Sequence, residues 1–243
     1  MKLSIITATF NAAPELPGLI DSLRRQTDPD FEWVVMDGAS TDGTRELIRC
    51  VSDLPVVWHS EPDFGIYDAL NKAIRLARGE HYLVVGADDR LDPGAVEGFK
   101  RLIADTGADI ATTPVRVGSH TLVDRPLGPA WLHGARAHVT CHAVGTAFRR
   151  SLHERFGMYS RRFPITADLL FISQAVRGGA RVAQGRFIAG TYSDDGVSAT
   201  DVAGVMSEFF RVQLEVESNR PLQLLIHLLR LLKNAPKLVR GQR

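Results

Sequence analysis

Hydrophobic and polar residues follow two different periods along the first 117 residues of the chain. Short apolar runs rich in β-branched residues predict strands, and the segments between them carry apolar residues at the i, i+3, i+4, i+7 spacing of an amphipathic helix. The helical spacing occurs from Leu16 to Leu23 and from Leu70 to Ala77. This alternation is typical of a mostly parallel sheet with crossover helices. The predicted strands are Leu3–Ala8, Phe31–Met36, Val56–His59, Tyr82–Val85 and Ile110–Val117.

The pattern becomes less regular in the second half. Asp92 and Pro93 predict the start of a helix, as N-cap and first helical residue. Loops rich in Gly, Pro and His follow from Gly118 to His142. Beyond them the sequence predicts a strand near Val144–Phe148, a helix over Ala167–Val176 and a strand near Val182–Ile188. We expect the regular half to position a ligand and the irregular half to cover it.

Charge distinguishes a C-terminal segment from the rest of the chain. The net charge of +1 argues against a dedicated nucleic-acid-binding protein. Residues 219–243 hold six Lys and Arg and no Asp or Glu, whereas residues 1–218 hold 23 basic and 28 acidic residues. The sequence therefore predicts one domain over 1–218, with a regular half (1–117) and an irregular half (118–218), followed by a basic tail over 219–243.

The tail is apolar from Pro221 to Leu232 and basic beyond it. Its apolar run is shorter than the roughly 20 residues that a membrane span needs. A basic, leucine-rich amphipathic helix that lies on an anionic membrane surface fits this pattern, and packing on the body or a dimer contact are the alternatives. The cysteines Cys50 and Cys141 form no disulfide framework, and the apolar start is too short for a signal peptide. We expect a cytoplasmic protein, peripheral on the inner face of the cell membrane if the tail binds lipid.

Acidic residues follow three of the predicted strands, at Asp37, Asp63 and the pair Asp88–Asp89. The carboxyl ends of parallel strands meet at one edge of a sheet, where ligands bind. Carboxylates gathered there repel one another unless a cation or hydrogen-bond donors compensate, and Mg²⁺ or Mn²⁺ combines such carboxylates with substrate phosphates. Each residue also has a purely structural interpretation as a cap or turn residue. The sequence has no phosphate-binding glycine loop after the first strand, which argues against kinases and dehydrogenases.

Several strings resemble one enzyme family. TATFN at 7–11, DGASTDGT at 37–44, SEPDFGIYDALNKAI at 60–74 and GADD at 86–89 are similar to the family-2 glycosyltransferases, especially bacterial members that build exopolysaccharides and cell-envelope glycolipids. The similarity covers about residues 3 to 200 and includes Cys141-His142 and the segment around Asp168. It implies an α/β GT-A (Rossmann-like) fold, a mostly parallel sheet with flanking helices, in which 1–117 is the nucleotide-binding half and 118–218 an irregular acceptor half. The C-terminal amphipathic helix is predicted from the tail pattern.

The resemblance also implies roles for individual residues. It assigns the nucleobase to Ala8, Phe10 and Asp37, the donor pocket to Asp63, Tyr67 and Asn71, the ribose region to Asp88, the metal to Asp89, the acceptor side to His142 and base catalysis to Asp168. The chain departs from the family pattern in two places. It has Asp37-Gly38 where many relatives have two acidic residues, and GADD is not a strict D-x-D motif.

The implied reaction is an inverting transfer of a sugar from a UDP-, GDP- or dTDP-sugar to a hydroxyl group of a glycan or lipid-linked acceptor. One carboxylate, Asp168, activates the acceptor, and Mn²⁺ or Mg²⁺ neutralises the leaving diphosphate. Two other functions stay open at this point. A nucleotidyltransferase that makes a nucleotide sugar also holds a diphosphate and a metal, although it would be expected to carry a glycine-rich phosphate loop. A non-catalytic protein at the membrane surface needs none of these carboxylates, and Asp168 is then a helix cap.

Overall fold

The structure, a computed structural model, describes residues 2–117, 120–122, 128–139, 142–193 and 201–240. Cys141 and parts of the predicted loop segment 118–142 therefore lie outside the described residues, as does the end of the tail at 241–243. The strands are β1 (Leu3–Thr9), β2 (Phe31–Asp37), β3 (Val56–Ser60), β4 (His81–Val84), β5 (Arg90–Leu91), β6 (Ile110–Thr112), β7 (Val115–Val117), β8 (His120–Leu122), β9 (Thr146–Arg149), β10 (Val182–Gln184) and β11 (Gly190–Tyr192). The helices are α1 (Leu16–Arg24), α2 (Thr44–Arg49), α3 (Ile66–Leu76), α4 (Ala95–Thr106), α5 (Ala130–His133), α6 (Leu152–Phe156), α7 (Ala167–Arg177), α8 (Val202–Val216) and α9 (Arg220–Arg240).

The main sheet contains seven strands in the order β10-β6-β9-β4-β1-β2-β3. The pairs β1–β2, β2–β3, β1–β4 and β6–β10 are parallel, while β9 runs antiparallel to both of its neighbours, β4 and β6. A smaller sheet has the order β5-β11-β7-β8. Strands from before and after residue 118 thus share one main sheet, and the predicted mostly parallel arrangement is present.

The predicted strand Ile110–Val117 is wrong as a single element. It divides into β6 in the main sheet and β7 in the small sheet, with Thr113 and Pro114 between them. Proline has no N–H for a sheet ladder and restricts the residue before it, so the chain turns there. The predicted strand Val182–Ile188 likewise ends at Gln184, and the predicted strand at Val144 begins only at Thr146, after a 3₁₀ turn.

The predicted start of α4 is also corrected. The helix begins at Ala95 with Gly94 in the N-cap position, rather than with Asp92 as the cap and Pro93 as the first residue. The Asp92 carboxylate instead accepts two hydrogen bonds from Arg116 of β7, at 2.7 and 2.8 Å. A bidentate, charge-assisted pair of this kind is stronger than an ordinary cap bond, and it links β7 to the segment between β5 and α4.

Two layers of apolar side chains cover the faces of the main sheet. Ile5 and Trp33 point into one layer with residues of α1 and α4, whereas Ile6 and Val34 point into the other with residues of α3 and α7. Neighbouring residues of a strand face opposite sides, so each strand feeds both layers. The important consequence is that α3 and α7 lie on the same face, although more than 100 residues of sequence separate their starts at Ile66 and Ala167.

Helices α8 and α9 pack on each other at the edge of this second layer. The rings of Phe210 and His227 stack at 4.2 Å, and Gln223 and Ile226 of α9 are buried. The described residues contain no helix whose length and hydropathy suffice to cross a membrane.

Candidate active site

Asp37, the last residue of β2, is a buried carboxylate surrounded by donors. One of its oxygens accepts hydrogen bonds from Thr9 Oγ1 (3.1 Å) and Ser40 Oγ (2.5 Å), and the other from Ser60 Oγ (2.6 Å) and the Ser40 N–H (3.0 Å). Burial alone would raise the pKa of Asp37, but the bonds from Ser40, Ser60 and Thr9 outweigh it and hold the pKa below its ordinary value. Asp37 thus fastens the ends of β1, β2 and β3 together.

Four residues close to Asp37 in the chain or in space are called the cleft below: Ala8, Phe10, Gly38 and Asp63. A Cβ placed on Gly38 would lie 2.7 Å from Asp63 Oδ2 and 3.3 Å from a ring carbon of Phe10, so the three residues are in contact range. Phe10 is 68% exposed, and Ala8 is half-buried behind it on β1. Asp63 Oδ1 accepts a hydrogen bond from the Gly65 N–H (2.8 Å). The cleft therefore offers a flat aromatic face and one carboxylate oxygen.

The loops that border this cleft hold two non-glycine residues with positive φ, Asn11 (48°) and Ala39 (61°). Hydrogen bonds fix both loops: the Asn11 N–H donates to Ser40 Oγ (2.8 Å), and the Thr41 N–H donates to Asn11 Oδ1 (2.9 Å). Such backbone conformations are costly and concentrate at ligand sites, where surrounding contacts enforce them.

Asp88 and Asp89 follow β4 at the same edge of the sheet. Asp88 is exposed and Asp89 is 3% exposed. Burial and the adjacent charge of Asp88 raise the pKa of Asp89 to about 7, against opposing hydrogen bonds from the Gly86 and Ser193 N–H groups. Asp88 Oδ1 and Asp89 Oδ2 lie 2.7 and 2.9 Å from the point where a Cβ on Gly86 would stand, so both carboxylates converge over this glycine.

The convergence over Gly86 fits a divalent cation. Mg²⁺ and Mn²⁺ use one or two carboxylates and complete their shells with phosphate and water oxygens. The described residues include no cluster of three or more His, Cys, Asp or Glu that could form an all-protein metal site. Two carboxylates with repulsive charges are the donor set expected for a cation that arrives with a diphosphate.

Asp168 lies in the first turn of α7 and meets Tyr67, from the first turn of α3. The Tyr67 hydroxyl donates to Asp168 Oδ1 (2.7 Å) and lies 2.9 Å from the Ile165 carbonyl. Burial raises the pKa of the Asp168 carboxyl, and the bond from Tyr67 opposes part of that rise. Burial also raises the pKa of Tyr67, so its proton stays on the hydroxyl.

A cavity of about 110 Å³ opens beside Asp168 between α3, α7 and the sheet. Its lining includes three residues predicted for the site, Tyr67, His142 and Asp168, together with apolar side chains. Val84 of β4, four positions before Asp88, is also part of the lining. The cavity is therefore bounded in part by the last residue of the strand that precedes the acidic pair.

Tyr159 connects this cavity to a buried polar network that the sequence did not suggest. Its hydroxyl lies 2.8 Å from the Tyr82 hydroxyl, which in turn lies 2.6 Å from His153 Nε2. Burial lowers the pKa of His153 and of His142 to about 4, so both imidazoles are neutral at neutral pH. His142 stacks on Tyr192 with ring centroids 3.9 Å apart.

Asn71, which the resemblance assigns to the donor pocket, makes hydrogen bonds within the protein. Its side chain is buried and makes two hydrogen bonds with the main chain of Tyr159. Asn71 Nδ2 donates to the Tyr159 carbonyl (2.9 Å), and Asn71 Oδ1 accepts from the Tyr159 N–H (2.9 Å). Asp68, beside the predicted Tyr67, pairs with Arg161 and Lys72. These residues hold the segment that leads to α7 against α3.

Glu208 of α8 supports the Asp168 segment from the opposite side, and nothing in the sequence singled it out. Its Oε2 accepts hydrogen bonds from the Ile165 N–H (3.0 Å), the Thr166 N–H (2.9 Å) and Thr166 Oγ1 (3.1 Å). These bonds fix the two residues that lead into α7. The Asp168 carboxylate also accepts hydrogen bonds from the backbone N–H groups of Leu169 and of Asp168 itself, so it takes part in the start of the helix as well as in the contact with Tyr67.

Residues 4–163 match the family model described as Glycosyl transferase family 2. Over 182 residues the chain is 32% identical to a PGL/p-HBAD biosynthesis glycosyltransferase of Mycobacterium bovis, with coverage of 68% of this chain. The match spans 66% of that relative, just under two thirds of its length.

Solved structures share the fold at low sequence identity. TarS of S. aureus gives a TM-score of 0.71 at 21% identity, covering 93% of this chain and 42% of that chain. The mannosyltransferase PcManGT of Pyrobaculum calidifontis, solved with GDP-Man and Mn²⁺, gives 0.69 at 20% identity and covers 96% of this chain and 75% of that chain. A TarS 1–349 structure contains UDP-GlcNAc. The resemblance and the fold class predicted from the sequence are therefore confirmed.

Proposed function

Because the chain belongs to glycosyl transferase family 2, we propose that it transfers a sugar from a nucleotide-diphosphate sugar to a hydroxyl group of an acceptor. The observation that carries this proposal is the presence of two carboxylate sites: the Asp88 and Asp89 carboxylates that converge over Gly86, and a cavity lined by Asp168 and by Val84, the last residue of β4. Residues 1–218 form the catalytic domain in this proposal, and residues 219–243 the tail.

The donor nucleoside binds in the cleft formed by Ala8, Phe10, Gly38 and Asp63. The exposed ring of Phe10 stacks on the nucleobase, a contact worth about 1–3 kcal/mol in other nucleotide complexes. Asp37 stays bonded to Thr9, Ser40 and Ser60 and holds the cleft in shape. UDP and GDP sugars are candidates because TarS was solved with UDP-GlcNAc and PcManGT with GDP-Man, and dTDP sugars remain a candidate from the sequence.

Asp88 and Asp89 hold a Mn²⁺ or Mg²⁺ ion together with the donor diphosphate. When bound, the cation supplies Lewis-acid neutralisation of the charge on the leaving nucleoside diphosphate. Asp88 offers the exposed carboxylate, and the buried Asp89 is fixed by the Gly86 N–H (2.8 Å). Gly86 is required because any side chain there would occupy the space where the carboxylates meet.

Asp168 acts as the general base. Its raised pKa makes it a stronger proton acceptor than an exposed aspartate, and Tyr67 fixes one of its oxygens. The described cavity contains one carboxylate, so we propose a single displacement that inverts the anomeric carbon, with His142 on the acceptor side.

The acceptor is linked to a lipid, and α9 holds the enzyme on an anionic membrane at the cytoplasmic face. One side of α9 packs on α8, while the other side exposes a continuous row of leucines. These are Leu224, Leu225, Leu228, Leu229 and Leu232, each between 49% and 73% exposed. Lys233 follows them, and residues 219–243 carry no acidic side chain. Apolar burial and anionic lipid, at about 1 kcal/mol per basic residue, together favour the interface.

Flotation of the full chain with vesicles tests the tail. We expect the protein to float with phosphatidylglycerol vesicles, and the double change L225E and L229E to abolish flotation. L76E, an exposed leucine on α3, is the matched control and should float like the unchanged protein. Equal flotation of the double variant would exclude the membrane role of α9.

Donor turnover tests the function itself. The purified chain is mixed with UDP-, GDP- and dTDP-sugars, Mn²⁺ or Mg²⁺ and a membrane lipid extract, and the released nucleotide is identified. We expect one donor class to give nucleoside diphosphate, faster with the extract. Formation of pyrophosphate would instead identify a nucleotidyltransferase. Failure of all donors to bind or turn over would leave a non-catalytic binding protein.

A further inference from the structure

The cavity beside Asp168 is lined mainly by hydrocarbon. Among the described residues, its polar side chains are Tyr67, His142, Thr146, Tyr159 and Asp168. All five have partners in the protein: Tyr67 donates to Asp168, Tyr159 bonds to Tyr82, Thr146 to Thr112, and His142 Nδ1 accepts from the Val144 N–H. The remaining surface comes from aliphatic and aromatic residues on several elements. They include Leu70 of α3, Phe148 of β9, and Leu169 and Ile172 of α7.

A sugar ring does not suit such a lining. Each sugar hydroxyl that is buried without a hydrogen-bond partner costs about 1–3 kcal/mol. Binding of an apolar group in the same place is favourable, because it removes hydrocarbon surface of both the ligand and the cavity from water. The cavity volume of about 110 Å³ is of the same order as the ~150 Å³ apolar cavity known to admit benzene.

The entrance has the same character as the lining. Ile66 lines the cavity and is 56% exposed, and Phe64, two residues earlier, is 82% exposed. An exposed apolar side chain at the start of α3, Ile66, therefore belongs both to the surface and to the cavity that holds Asp168.

Resting on the proposed function, we infer that the acceptor hydroxyl is carried by an apolar group of about the size of a phenyl ring, and not by a sugar ring. This group fills the cavity and presents its hydroxyl to Asp168. The acceptor oxygen forms the new bond to the anomeric carbon while its proton passes to the Asp168 carboxylate. The bond between that carbon and the diphosphate oxygen breaks, and its electron pair leaves with the nucleoside diphosphate.

Binding of small probes to the full chain tests this inference without turnover. We expect 4-methylphenol to bind in calorimetry or ligand-observed NMR, and methyl α-glucopyranoside not to compete with it. L169F adds volume inside the cavity and should weaken 4-methylphenol binding at least tenfold. L76F makes the same change on the exposed side of α3 and should bind as the unchanged protein does.

A second variant, I66W, tests the inference if L169F does not fold. I66W narrows the entrance at a residue that is 56% exposed, so the fold should tolerate it, and 4-methylphenol should again bind more weakly. Probe binding that neither variant reduces, or displacement of the phenol by the glucopyranoside, would overturn the inference.

Product analysis separates this inference from the proposed function. With a donor that is turned over, we expect mass spectrometry to detect the sugar attached to 4-methylphenol. Transfer only to a sugar hydroxyl of the lipid extract would refute the apolar acceptor while the glycosyltransferase proposal stands. If no donor is turned over, but 4-methylphenol still binds and L169F and I66W weaken its binding, the glycosyltransferase proposal fails. The preference of the cavity for an apolar ligand then still holds.

Discussion

Two aspartates on opposite sides of the site show how the two halves of the protein differ. Asp37, in the half that we assign to the donor, is 1% exposed and accepts bonds from Thr9, Ser40 and Ser60, which lower its pKa. Asp168, in the acceptor half, has one hydroxyl donor among the described residues, Tyr67, and burial raises its pKa. Asp37 accepts hydrogen bonds from three hydroxyl side chains and Asp168 from one, and the carboxylate with fewer hydroxyl donors has the raised pKa.

This contrast distinguishes a carboxylate that holds loops together from one that takes part in the reaction. A carboxylate saturated with donors is a poor proton acceptor, but it fastens loops together. A carboxylate kept short of donors in an apolar cavity accepts a proton more readily. We therefore expect changes at Asp37 to alter stability and changes at Asp168 to alter rate.

The largest expected effect is at Asp168. D168N should lower kcat by about 10²–10⁴-fold, the usual contribution of a general base, while donor affinity stays the same. Nucleoside diphosphate release under saturating donor measures kcat, and calorimetry measures donor binding. D105N, on the exposed side of α4, is the control. Full activity of D168N would break the contrast between the two aspartates.

At Asp37 we expect a loss of stability. D37N should lower the free energy of unfolding by ~2 kcal/mol, because it removes the charge that four donors share. The folded pKa of Asp37 lies below the unfolded value, about 3.9, so its stabilisation is present above that pH and is lost as pH falls through the folded pKa. Urea unfolding at pH 7 and pH 3 should show a smaller difference between variant and unchanged protein at pH 3.

Tyr67 sharpens the contrast through pH. Y67F removes the hydroxyl that lowers the pKa of Asp168, while the Arg136 charge, which also lowers it, and the neutral hydroxyls of Tyr82 and Tyr159 remain. Because the base works deprotonated, activity rises with pH through this pKa. The acid limb of the kcat/KM profile should therefore move to higher pH in Y67F. If the acid limb of the Y67F profile does not move and the rate is lower at every pH, Tyr67 acts only through packing.

The smallest expected effect is at Glu208. E208Q keeps the size of the side chain but removes the charge from the bonds to Ile165 and Thr166, and charge-assisted bonds are about twice as strong as neutral ones. We expect a loss of about 1 kcal/mol in unfolding free energy and a kcat reduced by a few fold, both measured on one preparation. Unchanged values for both would show that the start of α7 needs no support from α8.

The sequence predicted the sheet edge better than the acceptor side. Alternation and turn residues placed Asp37, Asp63 and the Asp88–Asp89 pair at strand ends, because short-range pattern controls where strands stop. The contact between Tyr67 and Asp168 joins residues 101 positions apart, and neither periodicity nor charge indicated it. Family resemblance named both residues without predicting that they touch.

Burial was harder still to predict. Asp88 and Asp89 are identical side chains in adjacent positions, and the sequence offered no reason to expect one exposed and the other buried. The burial of Glu208 could not be predicted, because a single acidic residue in an amphipathic helix usually lies on the solvent-exposed face. Asn71, placed at the donor by resemblance, binds the Tyr159 backbone, since the register of α3 turns it inward.

The antiparallel strand β9 has a consequence for biosynthesis. β4 pairs with β1 on one side and with β9 on the other, and β9 also separates β4 from β6. While the ribosome has delivered only the first four strands, β4 presents a bare, apolar edge, which is a template for aggregation. Truncation before Thr146 should therefore yield insoluble protein rather than an isolated nucleotide-binding half, and nascent chains of that length are expected clients of chaperones.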